Sequence, residues 1–428
     1  MLDMKRIREN PDLIRQGIAN KNEKDTVGDI LELDGKRRAI IQEVDALKNT
    51  RNVVSDEIAK LKKNKENADD KIAEMKVVSE KIKGMDSDLR EIEEQMDELL
   101  LFVPNMVHES VPVGKTESDN KHIREWIPEG IIGLNAESDE TLLDHVALGS
   151  KLGILDFERG AKLSGSGFPL YMGKGATLER ALINFMLDLH LEKHGYKEVF
   201  PPFVVNTESM RGTGQLPKLG DDMYRCADDD LYLIPTAEVP ITNIYRGETL
   251  GADELPMYMC GYSSCFRREA GSYGKETKGF LRVHEFNKVE LVKYSMPENS
   301  YDELEKLVGN AEAVLQALNI PYRLVLLCTG DTSFASAKTY DLEIWAPGEK
   351  KWLEVSSCSN FEDFQARRAN IRFKRDAKSK PEFIHTLNGS GLATSRLMIS
   401  LLENNQTPEG KIVVPKPLQK YTGFSVIE

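Results

Sequence analysis

Between residues 26 and 100 the apolar positions recur at alternating steps of four and three. Ile40, Val44, Leu47, Arg51, Val54, Ile58 and Leu61 make one row; Ile72, Met75, Ser79, Ile82, Asp86, Leu89 and Met96 make a second. Side chains at that spacing share one side of an α-helix, and a row sustained this long is a heptad seam. The stretch between them, KKNKENADD, is polar and rich in Asn and Asp, which suits a turn. The pattern predicts two helices folded back as an antiparallel coiled coil, ~45–50 Å long at 1.5 Å per residue. Arg51, Ser79 and Asp86 interrupt the rows, so the rod is expected to bend. Residues 1–25 read as a short polar helical piece, with Pro11 in a helix's first turn.

Phe102-Val-Pro-Asn ends the second row, and residues 104–145 are rich in Pro, Gly and charge. They read as a linker. Thr177–His194 then has helical periodicity, with Leu178, Ala181, Leu182, Phe185, Met186 and Leu189 on one side. Thr177 is the expected N-cap and Gly195 the stop. An extended run from Tyr196 to Val205 follows, containing Pro201 and Pro202.

From Tyr262 to Lys293 the period falls to two, on both sides of a polar, Gly-rich connection. This predicts a hairpin. Alternation places Arg267 and Glu269 on one face of the first strand, and Phe286 and Glu290, with Lys288 between them, on one face of the second. The connection carries Gly271, Gly274, Gly279, Lys275, Lys278 and Arg282. A guanidinium, two carboxylates and an aromatic ring under a basic loop suit a nucleotide: Arg forks match phosphate oxygens and a ring face stacks on a purine.

Length and charge narrow the classes. At 428 residues, two domains are the natural expectation. The net charge of −13 argues against a generally basic nucleic-acid coat, though not against a local patch. Lys60, Lys62, Lys63 and Lys65 cluster near the rod's tip, and Lys36, Arg37 and Arg38 nearer its base, so the rod reads either as a solvated face or as a phosphate-contacting arm. The five cysteines, Cys226, Cys260, Cys265, Cys328 and Cys358, make no C-x-x-C pair and read as reduced thiols. No signal-like or membrane-spanning stretch is evident, so a cytoplasmic protein without membrane contact is expected.

The motif FRRE followed by HEF-x-x-x-E resembles motif 2 of the class II aminoacyl-tRNA synthetases, and the whole stretch is similar to the seryl-tRNA synthetase family. The helix and extended run around Thr177–Val205 resemble motif 1, which implies a homodimer. Leu387-Asn-Gly-Ser-Gly-Leu-Ala-Thr-Ser-Arg-Leu-Met398 resembles motif 3, with Gly389 and Gly391 expected to let the backbone turn before a helix. The tripeptide Thr236-Ala237-Glu238 resembles the family's serine-binding element, and Lys351-Trp-Leu-Glu-Val-Ser-Ser-Cys-Ser-Asn360 the element that holds the metal on the ATP phosphates.

The resemblance implies an α+β fold: an antiparallel sheet flanked by helices, the class II catalytic core, behind an N-terminal coiled-coil arm. It divides the chain into a tRNA-binding helical domain (1–103), a linker (104–145) and a catalytic domain (146–428). Its ATP set is Arg267, Arg268, Glu269, Phe286, Glu354, Val355, Ser356, Ser357 and Arg396, with Arg267 on the α-phosphate and Phe286 and Arg396 sandwiching the adenine. Its serine set is Thr236, Ala237, Glu238, Arg267, Glu290 and Ser390. Glu354 and Ser357 would hold the metal; oxygen ligands of this kind suit Mg²⁺ or Mn²⁺ rather than zinc. Strict alternation would pair Glu354 with Ser356, so this carry-over requires a bulge near Ser356. The implied reaction activates L-serine with ATP and charges serine tRNA, selenocysteine tRNA being a further option, with the arm and the motif 2 loop on the tRNA. The competing readings are a threonyl or prolyl ligase, and a catalytically silent relative that binds RNA.

Overall fold

The computed structural model describes residues 1–129, 142–271 and 277–428, in two compact units, Met1–Pro104 and Asn105–Glu428.

In the first unit, Val27–Lys63 and Asp69–Leu100 are helices of 37 and 32 residues, which at 1.5 Å per residue reach ~55 and ~48 Å. They run antiparallel. Val44, Met75, Ile82 and Met96 of the two rows are buried, and the other row positions are half-buried except Ile72, which is 40% exposed beside the tip. Ion pairs cross between the helices at Arg37–Glu93 (2.8 Å), Lys81–Glu43 (2.6 Å) and Lys48–Asp86 (3.7 Å). Each is solvent-exposed and worth at most about 1 kcal/mol, so the apolar seam carries the pairing. Lys48–Asp86 also explains how one interruption of the seam is tolerated. Arg37 and Lys36 at the base are occupied by Glu93 and Glu32, whereas Lys60, Lys62, Lys63 and Lys65 near the tip are exposed. The N-terminal piece is two helices, Met4–Glu9 and Pro11–Asn20, rather than one. Pro11 opens the second, and its ring pushes Asn10 out of helical geometry, to φ −135° and ψ 54°.

The second unit is built on an eight-stranded sheet. From one edge to the other its strands are Lys121–Trp126, Tyr322–Leu326, Lys338–Ala346, Lys351–Asn360, His385–Ala393, Glu285–Ser295, Met257–Phe266 and Lys197–Glu198. Every neighbouring pair is antiparallel except the last, where Lys197–Glu198 lies parallel to Met257–Phe266. The edge strand Lys121–Trp126 falls inside the stretch expected to be a linker; its backbone completes the sheet while its side chains stay mostly exposed.

Helices Lys174–His194, Ser300–Ala317 and Thr394–Asn404 cover one face of the sheet. There Leu178, Leu182, Leu304, Leu307, Leu397 and Leu401 meet Val289, Leu291 and Leu387 in one large cluster. Several of these leucines are fully buried, each worth roughly 1.5–3 kcal/mol. Because side chains alternate, the residues between them on strand Glu285–Ser295 point to the opposite face, and that face carries the site.

Two local expectations are corrected. The helix at 177–194 begins earlier, at Lys174 after Gly173, so Thr177 lies in its first turn and not at the cap. Gly195 does end it, in the left-handed conformation with φ 71°. The extended run at 196–205 is two short strands, Lys197–Glu198 and Val204–Val205, in different sheets, because Pro201 and Pro202 between them have no N–H to donate. The five thiols are free, as expected; Cys226 is half-buried and the other four buried.

Candidate active site

The hairpin strands Met257–Phe266 and Glu285–Ser295 pair in unbroken register from Met257–Tyr294 to Phe266–Glu285. The first strand ends one residue before Arg267, so alternation is not what aims Arg267 and Glu269. The Arg267 N–H donates to the His284 carbonyl at 2.9 Å, and Glu269 takes a left-handed φ of 52°. That turn brings both side chains over the same face. Arg267 stacks on the Phe286 ring at 5.1 Å, and Glu269 pairs with Arg282. Of the connection, Gly274 and Lys275 lie outside the described residues. Lys278 binds Asp144 at 2.6 Å.

Facing Arg267 across the sheet is Glu354. Glu354 pairs with Glu343 and Ser356 with Leu342, leaving Val355 as an extra residue: the bulge that the Glu354–Ser357 pairing requires. It returns Ser357 to the face of Glu354, where Ser357 Oγ lies 3.4 Å from Glu354 Oε1. Asp341 and Glu343 on the neighbouring strand share this face, opposite Ser357 and Glu354. Burial would raise the Glu354 carboxyl, but the guanidiniums of Arg396 and Arg267 outweigh it and hold it below its ordinary range. Asp341 goes the other way: burial, then the Glu354 carboxylate, push it well above. Asp341 Oδ1 is buried with no hydrogen-bond partner. An all-oxygen set with an orphaned carboxylate oxygen fits a hard divalent cation such as Mg²⁺.

Arg396, from the first turn of Thr394–Asn404, donates to the Glu354 carbonyl at 2.8 Å and approaches its carboxylate at 3.1 Å. Strand His385–Ala393 runs straight into this helix. Gly389 and Gly391 are therefore strand residues, not a turn, and serve close packing. A Cβ on Gly389 would meet Cys358 Sγ at 2.8 Å, and one on Gly391 would meet His190 Nε2 at 2.8 Å. Unbroken register from His385–Ser295 sets Ser390 opposite Glu290, and Gly391 is the extra residue of a second bulge just beyond that pair.

Glu290 lies deep in the cavity, 2% exposed, in an ion pair with Lys288. Thr236 Oγ1 donates to Glu290 at 2.6 Å and accepts from Lys288 at 2.8 Å. Glu238 follows two residues on, accepting from Gln365 at 2.7 Å; burial and the nearby Glu290 charge raise it to about 7.

These groups open onto one continuous space. A cavity of about 590 Å³ is lined by Thr236, Glu238, Glu290, Asp341 and Ser357, and an adjoining one of about 240 Å³ by Phe286, Val355 and Arg396; Arg267, Glu269, Lys288, Glu354 and Ser390 line both. Three residues of the expected sets stand apart. The Arg268 side chain is exposed and lines neither cavity; Ala237 packs in a hydrophobic cluster; and the Ser356 hydroxyl donates to the Ser390 carbonyl at 2.8 Å. Four other residues at or beside the cavity lie outside the expected sets. Asp341 and Glu343 leave a signal, two acids at period two in the otherwise apolar TYDLEIWA, and Lys288 two residues from Glu290 leaves another. Gln365 leaves none, because only tertiary folding brings its helix to Glu238.

An antiparallel sheet with Arg267 at the end of one hairpin strand, Glu354 on a bulge and Arg396 in a helix springing from the next strand defines a class II aminoacyl-tRNA synthetase core. The family model for the tRNA synthetase class II core domain (G, H, P, S and T) matches residues 224–405, and that for the seryl-tRNA synthetase N-terminal domain matches residues 1–107. The chain belongs to the serine–tRNA ligase family, and is an aminoacyl-tRNA ligase. It is 61% identical to the serine–tRNA ligase of Chloroherpeton thalassium, with all of both chains covered, and 58% identical to that of Chlorobium phaeovibrioides, covering all of this chain and 99% of the relative. Among solved structures, seryl-tRNA synthetase from Pyrococcus horikoshii complexed with ATP superposes with a TM-score of 0.92 at 41% identity, covering 100% of this chain and 99% of the other. The cytoplasmic serine–tRNA ligase of Naegleria fowleri in complex with AMP gives 0.88 at 32% identity, with the same coverage.

Proposed function

We propose that this chain joins L-serine to ATP as seryl-adenylate and transfers the seryl group to serine tRNA. The observation that carries this reading is the shared opening of Arg267, Glu290 and Glu354 onto one cavity. A serine carboxylate is already ionised at neutral pH and needs no general base to attack the α-phosphorus. The step needs alignment and relief of negative charge. Arg267 sits between the two cavities, where one guanidinium reaches both the carboxylate and the α-phosphate. Phe286 and Arg396 flank the adenine and Glu269 takes its edge. Thr236, Glu290 and Ser390 receive the serine hydroxyl, and Glu238 its amino group. Glu354 and Ser357, with Asp341 behind them, hold Mg²⁺, which when bound offsets charge on the ATP phosphates. The tRNA's terminal ribose hydroxyl then attacks the seryl carbonyl and AMP leaves.

The Met1–Pro104 unit serves as the tRNA arm, its exposed lysines near the tip meeting phosphates. Helix Lys174–His194 forms the homodimer face, where Phe200 is 75% exposed nearby. No helix among the described residues is long and apolar enough to cross a membrane, and we place the enzyme in the cytoplasm. The site is tested by Arg267→Ala, which abolishes serine-dependent ATP–pyrophosphate exchange while the thermal unfolding curve stays close to that of the parent protein. Near-normal exchange in that variant contradicts the assignment.

A further inference from the structure

Behind the adenine end of the cavity, on the sheet face away from the substrates, one buried carboxyl touches two other segments at once. Glu179, on helix Lys174–His194, is 5% exposed. Its Oε1 accepts from Asn287 Nδ2 at 2.8 Å and is in hydrogen-bond contact with Thr394 Oγ1. Asn287 follows Phe286 on its strand, and Thr394 opens the helix that carries Arg396. The carboxyl therefore ties together, from below, the two elements whose upper faces present Phe286 and Arg396 to the smaller cavity.

Its surroundings favour the neutral form. Thr394 Oγ1 also lies 3.1 Å from the Asn287 carbonyl, which can only accept. A hydroxyl has one hydrogen and cannot give it to both Glu179 and that carbonyl. Asn287 Oδ1 is already filled by Tyr262 at 3.0 Å and Ser264 at 3.1 Å. Glu179 Oε2 is buried with no hydrogen-bond partner, so an ionised carboxylate would leave that oxygen's charge unpaired, whereas a neutral carboxyl with Oε1 as the acceptor does not. Burial acts in the same direction, raising Glu179 to about 7 against the pull of Thr394 and Asn287.

We propose that Glu179, as a neutral carboxyl, is a positioning residue that sets the spacing of Phe286 and Arg396 and so the affinity of the nucleotide end of the site, without bearing on the serine end. The proposal rests on the reading that these two side chains flank ATP. Serine-dependent pyrophosphate exchange separates the two substrates. Glu179→Ala is expected to raise the KM for ATP about five- to tenfold, the effect of one lost buried hydrogen bond, with the KM for serine within about twofold. Glu179→Gln, neutral and of the same shape, stays near the parent values. Thr394→Val, which removes the shared hydroxyl without touching charge, repeats the ATP-selective rise and carries the test should Glu179→Ala fail to fold. Equal rises in both KM values, no rise, or Glu179→Gln as damaging as Glu179→Ala would overturn the proposal. Arg396→Ala is measured alongside. If it leaves the KM for ATP unchanged, the nucleotide reading itself fails; if it raises that KM while the Glu179 and Thr394 variants do not, only the role of Glu179 is lost.

Discussion

Glu290 keeps its place deep in the cavity because Lys288, two residues earlier on the same strand face, supplies the opposite charge, and Thr236 bridges the two. On the proposed reading, a substrate hydroxyl adds the remaining partner and a substrate without one strands these groups. Sites of that design reject the lacking analogue by ~10⁴ or more. Glu290→Gln is therefore expected to lower the serine-over-alanine ratio of kcat/KM by at least about tenfold; an unchanged ratio removes Glu290 from the hydroxyl pocket. His190 acts at the same scale, behind the sheet. Its Nε2–H donates to the Gly391 carbonyl at 3.3 Å, and with the ring held neutral by burial its Nδ1, 2.9 Å from His194 Nδ1, can only accept there. Burial lowers it to about 3. The unfolded chain takes up this proton below about pH 6.5 and the folded one does not, so stability is whole above that pH and falls as pH drops toward 3, by up to about 1.36 kcal/mol per unit. Denaturant unfolding between pH 6.5 and 4 should show a shallower loss in His190→Gln than in the parent. Identical slopes would contradict a neutral His190. Arg267, Glu354 and Arg396 were legible as residues of the site because each sits in a motif. Gln365 was not, since a lone Gln on a helix says nothing of which strand its helix will pack against.

The two bulges show what an element adds to its residues. Glu354 and Ser357 share a face only because Val355 is looped out, and Leu392 faces Val289, just before the Arg396 helix, only because Gly391 is. The first was demanded by the sequence, since odd spacing on a strand cannot otherwise put both oxygens on one side. The second was not, because glycines before a helix read as a turn; only the close approach of His190 and Cys358 reveals why Cβ atoms are excluded there. The coiled coil was legible almost throughout, as a 3.5-residue seam needs no tertiary information. The edge strand Lys121–Trp126 was hidden by the opposite logic: its exposed faces carry no hydrophobic alternation. The arm's role is tested as an element. A variant lacking residues 36–95 is expected to retain serine-dependent pyrophosphate exchange within about twofold and to lose most tRNA charging. Equal loss of both would contradict a tRNA-reading arm.

For the whole molecule, a chain with a net charge of −13 handles two polyanions by placing its cations locally. Arg267 and Arg396 converge on the Glu354 end of a cavity, and lysines gather near the tip of a rod built from a separate unit. Affinity for ATP and for RNA then depends on where charge stands rather than on its total. On the proposed reading, the cavity recognises serine and couples it to ATP. Amino-acid-dependent ATP–pyrophosphate exchange, run with each standard amino acid on the intact protein, tests this most directly. Serine alone is expected to drive rapid exchange, with alanine and threonine slower by ~10³ or more. Comparable exchange with any other amino acid, or none with serine in folded protein that binds ATP, would contradict it.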